Sequence, residues 1–111
     1  GSALDDLFDR NDVAIGCLGC HRKNIVHAKA LKNIEYAARG VPFIYSESNE
    51  DFDSKEYIMK IPANESSVDI ASVIAFSRNM NLSPEKIRAS VDRLTWNEQM
   101  SKVVTELNQI I

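Results

Sequence analysis

The clearest alternation of apolar and polar positions lies in residues 29–46. Leu31, Ile34, Ala37 and Ala38 recur at helical spacing and predict one apolar helix face. Arg39 suits a last helical turn, and Gly40 is the expected left-handed residue just beyond it. Residues 41–45, Val-Pro-Phe-Ile-Tyr, then read as a short buried strand, with Pro42 tolerable only near its start. A helix feeding directly into a buried strand is half of a β-α-β unit with a parallel sheet.

The flanking pattern extends this picture. Residues 3–10 predict a helix with Leu4, Leu7 and Phe8 as its stripe, and Asn11-Asp12 a turn. Residues 13–18 are almost continuously apolar, as in a strand buried on both faces. Residues 19–24 form a polar loop. After the central unit, 46–56 is an acidic loop, 57–61 a third strand ended by Pro62, and 63–67 a turn. Residues 68–80 are amphipathic, with Val68, Ala71, Ile74, Ala75 and Phe76 on one side. Ser83 is an N-cap followed by Pro84 at the first helical position, and Ile87, Val91 and Leu94 line that helix. Thr95 and Glu98 form a capping box for a last helix, whose stripe is Trp96, Met100, Val103, Val104, Leu107 and Ile110. The predicted fold class is therefore α/β: a Rossmann-like, three-layer half-domain with a short parallel sheet of about three strands flanked by helices.

Composition narrows the class without naming a function. The 111 residues suffice for one small domain, 44% hydrophobic and 26% charged. A net charge of −3 with no basic block gives no footprint for nucleic acid. No apolar run reaches the roughly 18 residues of a membrane span. Two cysteines are too few for a disulfide scaffold and agree with a reducing cytoplasm. Gly1-Ser2 reads as an expression scar, leaving 3–111 as the domain.

Three groups of residues could carry chemistry. Cys17-Leu-Gly-Cys20-His21 matches the haem-attachment pattern, with Met59, Met80 or Met100 as a second axial ligand. The same cysteine pair fits a dithiol at a helix start, and Cys17, Cys20, His21 and His27 number enough ligands for zinc. The strand before Cys17 argues against haem, and the spacing is not that of a usual zinc finger. The plainer reading, adopted here, makes Cys17 a small core hydrophobe and Cys20 an ordinary loop residue, with no metal. His21, Arg22 and Lys23 follow the first strand, where open α/β sheets bind ligands, so they form either a diphosphate or sugar contact or a solvated loop. Glu35 is either a solvated helix carboxylate paired with Lys32 or Arg39, or an acceptor for a vicinal diol such as a ribose. Asp5, Asp6 and Asp12 would suit a receiver-like, non-catalytic interaction domain, but the first strand ends in Cys17-Leu18, where a phosphoacceptor should stand.

Ile34-Glu-Tyr-Ala-Ala-Arg-Gly-Val-Pro-Phe43 resembles the glutamate-small-x-small-x-Gly-x-Pro signature of retaining GT-B glycosyltransferases, group 1 / family 4 type. Asp12-Val-Ala-Ile-Gly-Cys-Leu-Gly-Cys-His-Arg-Lys23 resembles the strand and loop preceding that helix in a bacterial branch of these enzymes. The resemblance runs from about Leu4 to the C-terminus and covers only the last part of such an enzyme. It implies transfer of a sugar from a nucleotide-diphosphate donor to an acceptor hydroxyl, in cell-surface polysaccharide or glycan synthesis. It implies donor binding by Glu35 at the ribose and Lys32 at the phosphates, with His21, Arg22 and Lys23 in the phosphate-side loop. His27 stands where the family usually carries its first acidic residue, a departure that touches sugar recognition. No residue is assigned a catalytic role, and no cofactor beyond the nucleotide sugar is implied. The acceptor, a glycan or lipid-linked sugar, would belong to an N-terminal domain, and the whole enzyme would be cytoplasmic and peripheral at the inner membrane face.

A half-domain has a further consequence. The strand over 13–18 would be central in a complete domain, so its outer edge is predicted to lack a partner and to promote homodimerisation or a swap. The last helix is predicted to expose part of its apolar face for the same reason.

Overall fold

The computed structural model describes residues 2–94 and 96–110. Helix α1 (Ser2–Asp9) leads into strand β1 (Ala14–Ile15), and a 3-10 turn (Cys20–Lys23) precedes helix α2 (Leu31–Ala38). Strands β2 (Phe43–Tyr45) and β3 (Ile58–Lys60) follow, then α3 (Ile70–Arg78), α4 (Pro84–Ala89), a 3-10 turn (Asp92–Leu94) and α5 (Trp96–Ile110). The sheet has three strands in the order β1-β2-β3. Both pairings are parallel, with Ala14 opposite Phe43 and Phe43 opposite Ile58. The architecture is that of a small Rossmann-like α/β half-domain, in which α2 carries the chain from β1 to β2.

The α2–β2 junction forms as its residues dictate. Gly40 takes φ +75°, and a Cβ there would stand 2.7 Å from both Cβ and the carbonyl oxygen of Pro84. Glycine is thus required twice, by backbone conformation and by the close approach of α4. Ser83 accepts the Lys86 amide and Pro84 occupies the start of α4, which seats that helix beside α2. Every residue from Val41 to Glu47 is buried. Phe43 is the hub of the core: its ring lies 5.1 Å from Phe52, edge-on, 5.7 Å from Tyr36 and 6.1 Å from Tyr57. Ala37, Ile87 and Val91 close the same cluster.

Several expectations need correction. β1 is a two-residue strand, and Ile15 is 57% exposed, so it is not buried on both faces. It lies at the sheet edge with β2 on one side; among the described residues no strand pairs with its other side, where the Tyr36 hydroxyl donates to the Ile15 carbonyl at 2.9 Å. The buried positions of α2 are Asn33 and Ala37 rather than Leu31, which is 82% exposed. In α3 the inner side carries Val73, Phe76 and Ser77, while Ala71, Ile74 and Ala75 face out. Three strands offer too little surface to cover every apolar stripe: α4 packs on α2, and α3 buries none of its residues. The apolar positions Met100, Val103, Val104 and Leu107 of α5 are exposed, as a half-domain predicts. Thr95, the predicted cap of α5, and the side chains of Phe8 and Trp96 lie outside the described residues. Among those residues no helix is long and apolar enough to cross a membrane.

Candidate functional site

Because all strands are parallel, their carboxyl ends share one edge of the sheet, and α2 begins at that edge. The segment after β2 carries most of the polar structure there. Asp53 accepts hydrogen bonds from the Tyr45 hydroxyl at 2.5 Å, the Asn49 amide at 3.1 Å, and Ser48 Oγ and Lys60 Nζ, both at 3.2 Å. Burial works to raise its pKa, but the bonds from Tyr45, Asn49 and Lys60 prevail and hold the carboxyl below its ordinary range. Burial, then the bond to Asp53, pushes the Tyr45 hydroxyl well above the usual phenol range. Lys60 also donates to the Glu47 carbonyl and sits 4.8 Å from the centre of the Tyr45 ring.

Behind this network lies a second polar group. Glu47 is 2% exposed and Asn33 0%. Asn33 Nδ2 donates to Glu47 Oε1 at 3.3 Å, while Asn33 Oδ1 and Glu47 Oε2 have no hydrogen-bond partner among the described residues. Gly16 permits this: a Cβ there would stand 2.7 Å from Asn33 Oδ1. The sulfurs of Cys17 and Cys20 and a carboxylate oxygen of Glu47 all lie within 4.8 Å of one another. Hydrogen bonding with Cys17 pushes the Cys20 thiol up to about 11, with burial and the charge of Glu47 adding and Lys23 opposing. A thiol raised in this way is the reverse of an activated redox cysteine.

The six residues singled out in the sequence are not gathered: five are spread along this edge, and Glu35 lies further along α2, turned toward Arg39 and Asp5. His21 is half-buried, with its Nε2 3.7 Å from Glu65, and lines a cavity of about 330 Å³ with Ser46, Glu47 and Lys60. Arg22 is held by Glu65 through two 2.7 Å bonds, so its charge is committed, and Lys23 is exposed. His27 pairs with Ser48 in a parallel bridge and lines a separate cavity of about 570 Å³ with Lys29, Ser48, Asn49 and Glu50. Lys29 reaches Glu50 at 3.1 Å, and its pKa is raised by that bond and by Asp51. Lys32 lies exposed in the first turn of α2. Glu35 Oε1 accepts from Arg39 at 2.6 Å, and Arg39 also reaches Asp5 at 2.6 Å. Glu35 thus makes the helix ion pair allowed for in the sequence, within a three-residue chain that ties α1 to α2.

Sequence reasoning missed Asn33, Glu47, Asp53 and Lys60. Asn33 left a signal, since asparagine is a weak helix former and its place inside α2 calls for a side-chain partner. Asn49 left another: its Oδ1 accepts the Asp51 amide at 3.1 Å, the Asx turn that delivers Phe52 to the core. Set against known protein families, curated proteins and solved structures, the chain matches none.

Proposed function

We propose that the chain is the donor-binding, C-terminal part of a retaining GT-B glycosyltransferase. Its donor is a nucleotide-diphosphate sugar, and its acceptor glycan or lipid-linked sugar is held by an N-terminal domain. One observation carries the reading: the stretch resembling the family signature, residues 34–43, folds as α2, a left-handed Gly40 and buried β2, and β2 delivers a polar, cavity-bearing edge. Ligands of open α/β sheets bind at that edge. A cavity of about 570 Å³ is within the size range of small-molecule sites.

In this reading Lys32 serves the donor phosphates from the first turn of α2. Glu35 takes the ribose with the carboxylate oxygen that Arg39 does not hold. His27, Ser48 and Asn49 face the sugar. Positive side chains stabilise the charge that develops on the leaving diphosphate, so the rate enhancement is electrostatic. The chain alone binds donor weakly and is inactive. The full enzyme is cytoplasmic, peripheral at the inner membrane face and engaged in surface-glycan synthesis, and the open edge of β1 invites a second copy.

Calorimetric titration of UDP, GDP, ADP and their sugars tests this. Preference for one base, with affinity reduced at least about tenfold in both Glu35→Ala and Lys32→Ala, supports the reading. No binding at millimolar nucleotide, or binding that neither substitution alters, contradicts it. The exposed apolar faces of α1 and α5 favour a second reading, a non-catalytic interaction domain, which predicts the latter result.

A further inference from the structure

The carboxylate of Glu47 poses a problem of charge. It is buried, and its one hydrogen bond among the described residues is a long one from a neutral amide, Asn33 Nδ2 at 3.3 Å. Its second oxygen has none. Lys60 is close but spends its ammonium on the Glu47 carbonyl, on Asp53 and on the Tyr45 ring, not on this carboxylate. The groups that do face it are two thiols, which are also acids. Burying a carboxylate is costly unless a counter-charge meets it.

We propose that Cys17, Cys20 and Glu47 form a site for a thiophilic divalent cation of the zinc class, with a fourth position open to an outside ligand. The three ligand atoms lie within 4.8 Å of one another. Tetrahedral zinc, with Zn–S near 2.3 Å, sets such atoms about 3.5–3.8 Å apart, so a modest contraction closes the site. The elements converge on it from three directions. Cys17 continues β1, where its carbonyl accepts the Ser46 amide at 3.0 Å; Cys20 opens the 3-10 turn; Glu47 follows β2. Asn33, anchored in α2 and admitted by Gly16, holds the Glu47 carboxylate as an outer-layer partner.

Binding converts both thiols to thiolates and releases two protons per ion. The cation's two positive charges then meet three negative ones, leaving a site of net −1 where a buried carboxylate stood unpaired. Three protein ligands and one open position are the arrangement of a reactive rather than a purely structural zinc. The cavity that Glu47 shares with His21, Ser46 and Lys60 is where water or a ligand oxygen would enter. His27 faces the other cavity and takes no part, so the ligand set differs from the Cys17, Cys20, His21 and His27 group that spacing alone proposes. The inference does not depend on the glycosyltransferase reading.

The test uses the whole chain, reduced, stripped with chelator and titrated with Co²⁺ and then Zn²⁺. The expected result is a thiolate-to-cobalt charge-transfer band and tetrahedral visible bands that saturate at one equivalent and are displaced by Zn²⁺. Two thiols should become protected from alkylation at the same point. Cys17→Ser should remove the charge-transfer intensity at stoichiometric cobalt. Glu47→Gln, which keeps the shape and the bond to Asn33, should weaken binding at least about tenfold, with circular dichroism checking that it is folded. His27→Ala should leave the cobalt spectrum and the cobalt affinity unchanged. The wild-type spectrum stands alone if a variant fails to fold. Absence of the band at stoichiometric cobalt, unprotected thiols, or equal affinity in Glu47→Gln would overturn the proposal.

Discussion

β2 and α5 are the two places where the chain states its demand for burial most strongly, and they meet opposite fates. From Phe43 to Glu47 everything is buried, including a serine and a glutamate. Along the 15 residues of α5 the apolar positions Met100, Val103, Val104 and Leu107 stay in solvent. The difference is one of neighbours. β2 lies between two strands and is covered by Ala37, Phe52, Tyr57 and Ile87. α5 follows them with no comparable surface to lie on. An amphipathic pattern states which face needs cover but not whether the same chain supplies it. Since most helical stability in proteins comes from packing, α5 should be the less stable region.

Substitutions at four positions break or sharpen this contrast. Phe43→Ala removes the hub of the aromatic cluster and should cost about 3–5 kcal/mol in urea unfolding. Gly40→Ala forces a side chain into a left-handed backbone against Pro84 and should cost about 1–3 kcal/mol, again by urea unfolding. Asp53→Ala should cost about 1–2 kcal/mol by leaving Tyr45 and Lys60 without their shared acceptor. Its pH dependence has a definite sign. The folded Asp53 has the lower pKa, so its contribution is complete above the ordinary aspartate range and is lost as pH falls through that range to the folded value. Asp53→Asn should therefore flatten the acid limb of a stability–pH profile. Leu107→Ser, on the exposed stripe of α5, should change stability by no more than about 0.5 kcal/mol. A loss comparable to that of Phe43→Ala would mean that α5 is packed in solution and would erase the contrast.

How much of this was legible in the sequence follows from the range of the interactions. The α2–Gly40–β2 junction and the Ser83-Pro84 start of α4 were readable because capping and left-handed glycine depend on a few adjacent residues. The parallel sheet was readable from the alternation of elements. The side to which Leu31 or Ile74 turns was not, because it depends on which surfaces a sheet of three strands leaves free. Residues 46–56 misled most: their composition is that of a solvated loop, yet the Asx turn at Asn49 folds Phe52 inward and closes over Glu47. Of the candidate site, His21, Arg22 and Lys23 were singled out because they follow a strand, and His27 through the family resemblance. Asn33, Glu47, Asp53 and Lys60 were not, because their roles exist only after the strand ends meet.

The central claim is that the working surface is the carboxyl edge of the sheet and not the exposed helices. Mapping the amide shifts of the labelled chain on titration with UDP, GDP and ADP sugars tests this most directly. The account predicts changes in residues 21–35 and 46–49, with α5 and the amino ends of the strands silent. Shifts concentrated on α1 or α5, with the carboxyl edge unmoved, would contradict it.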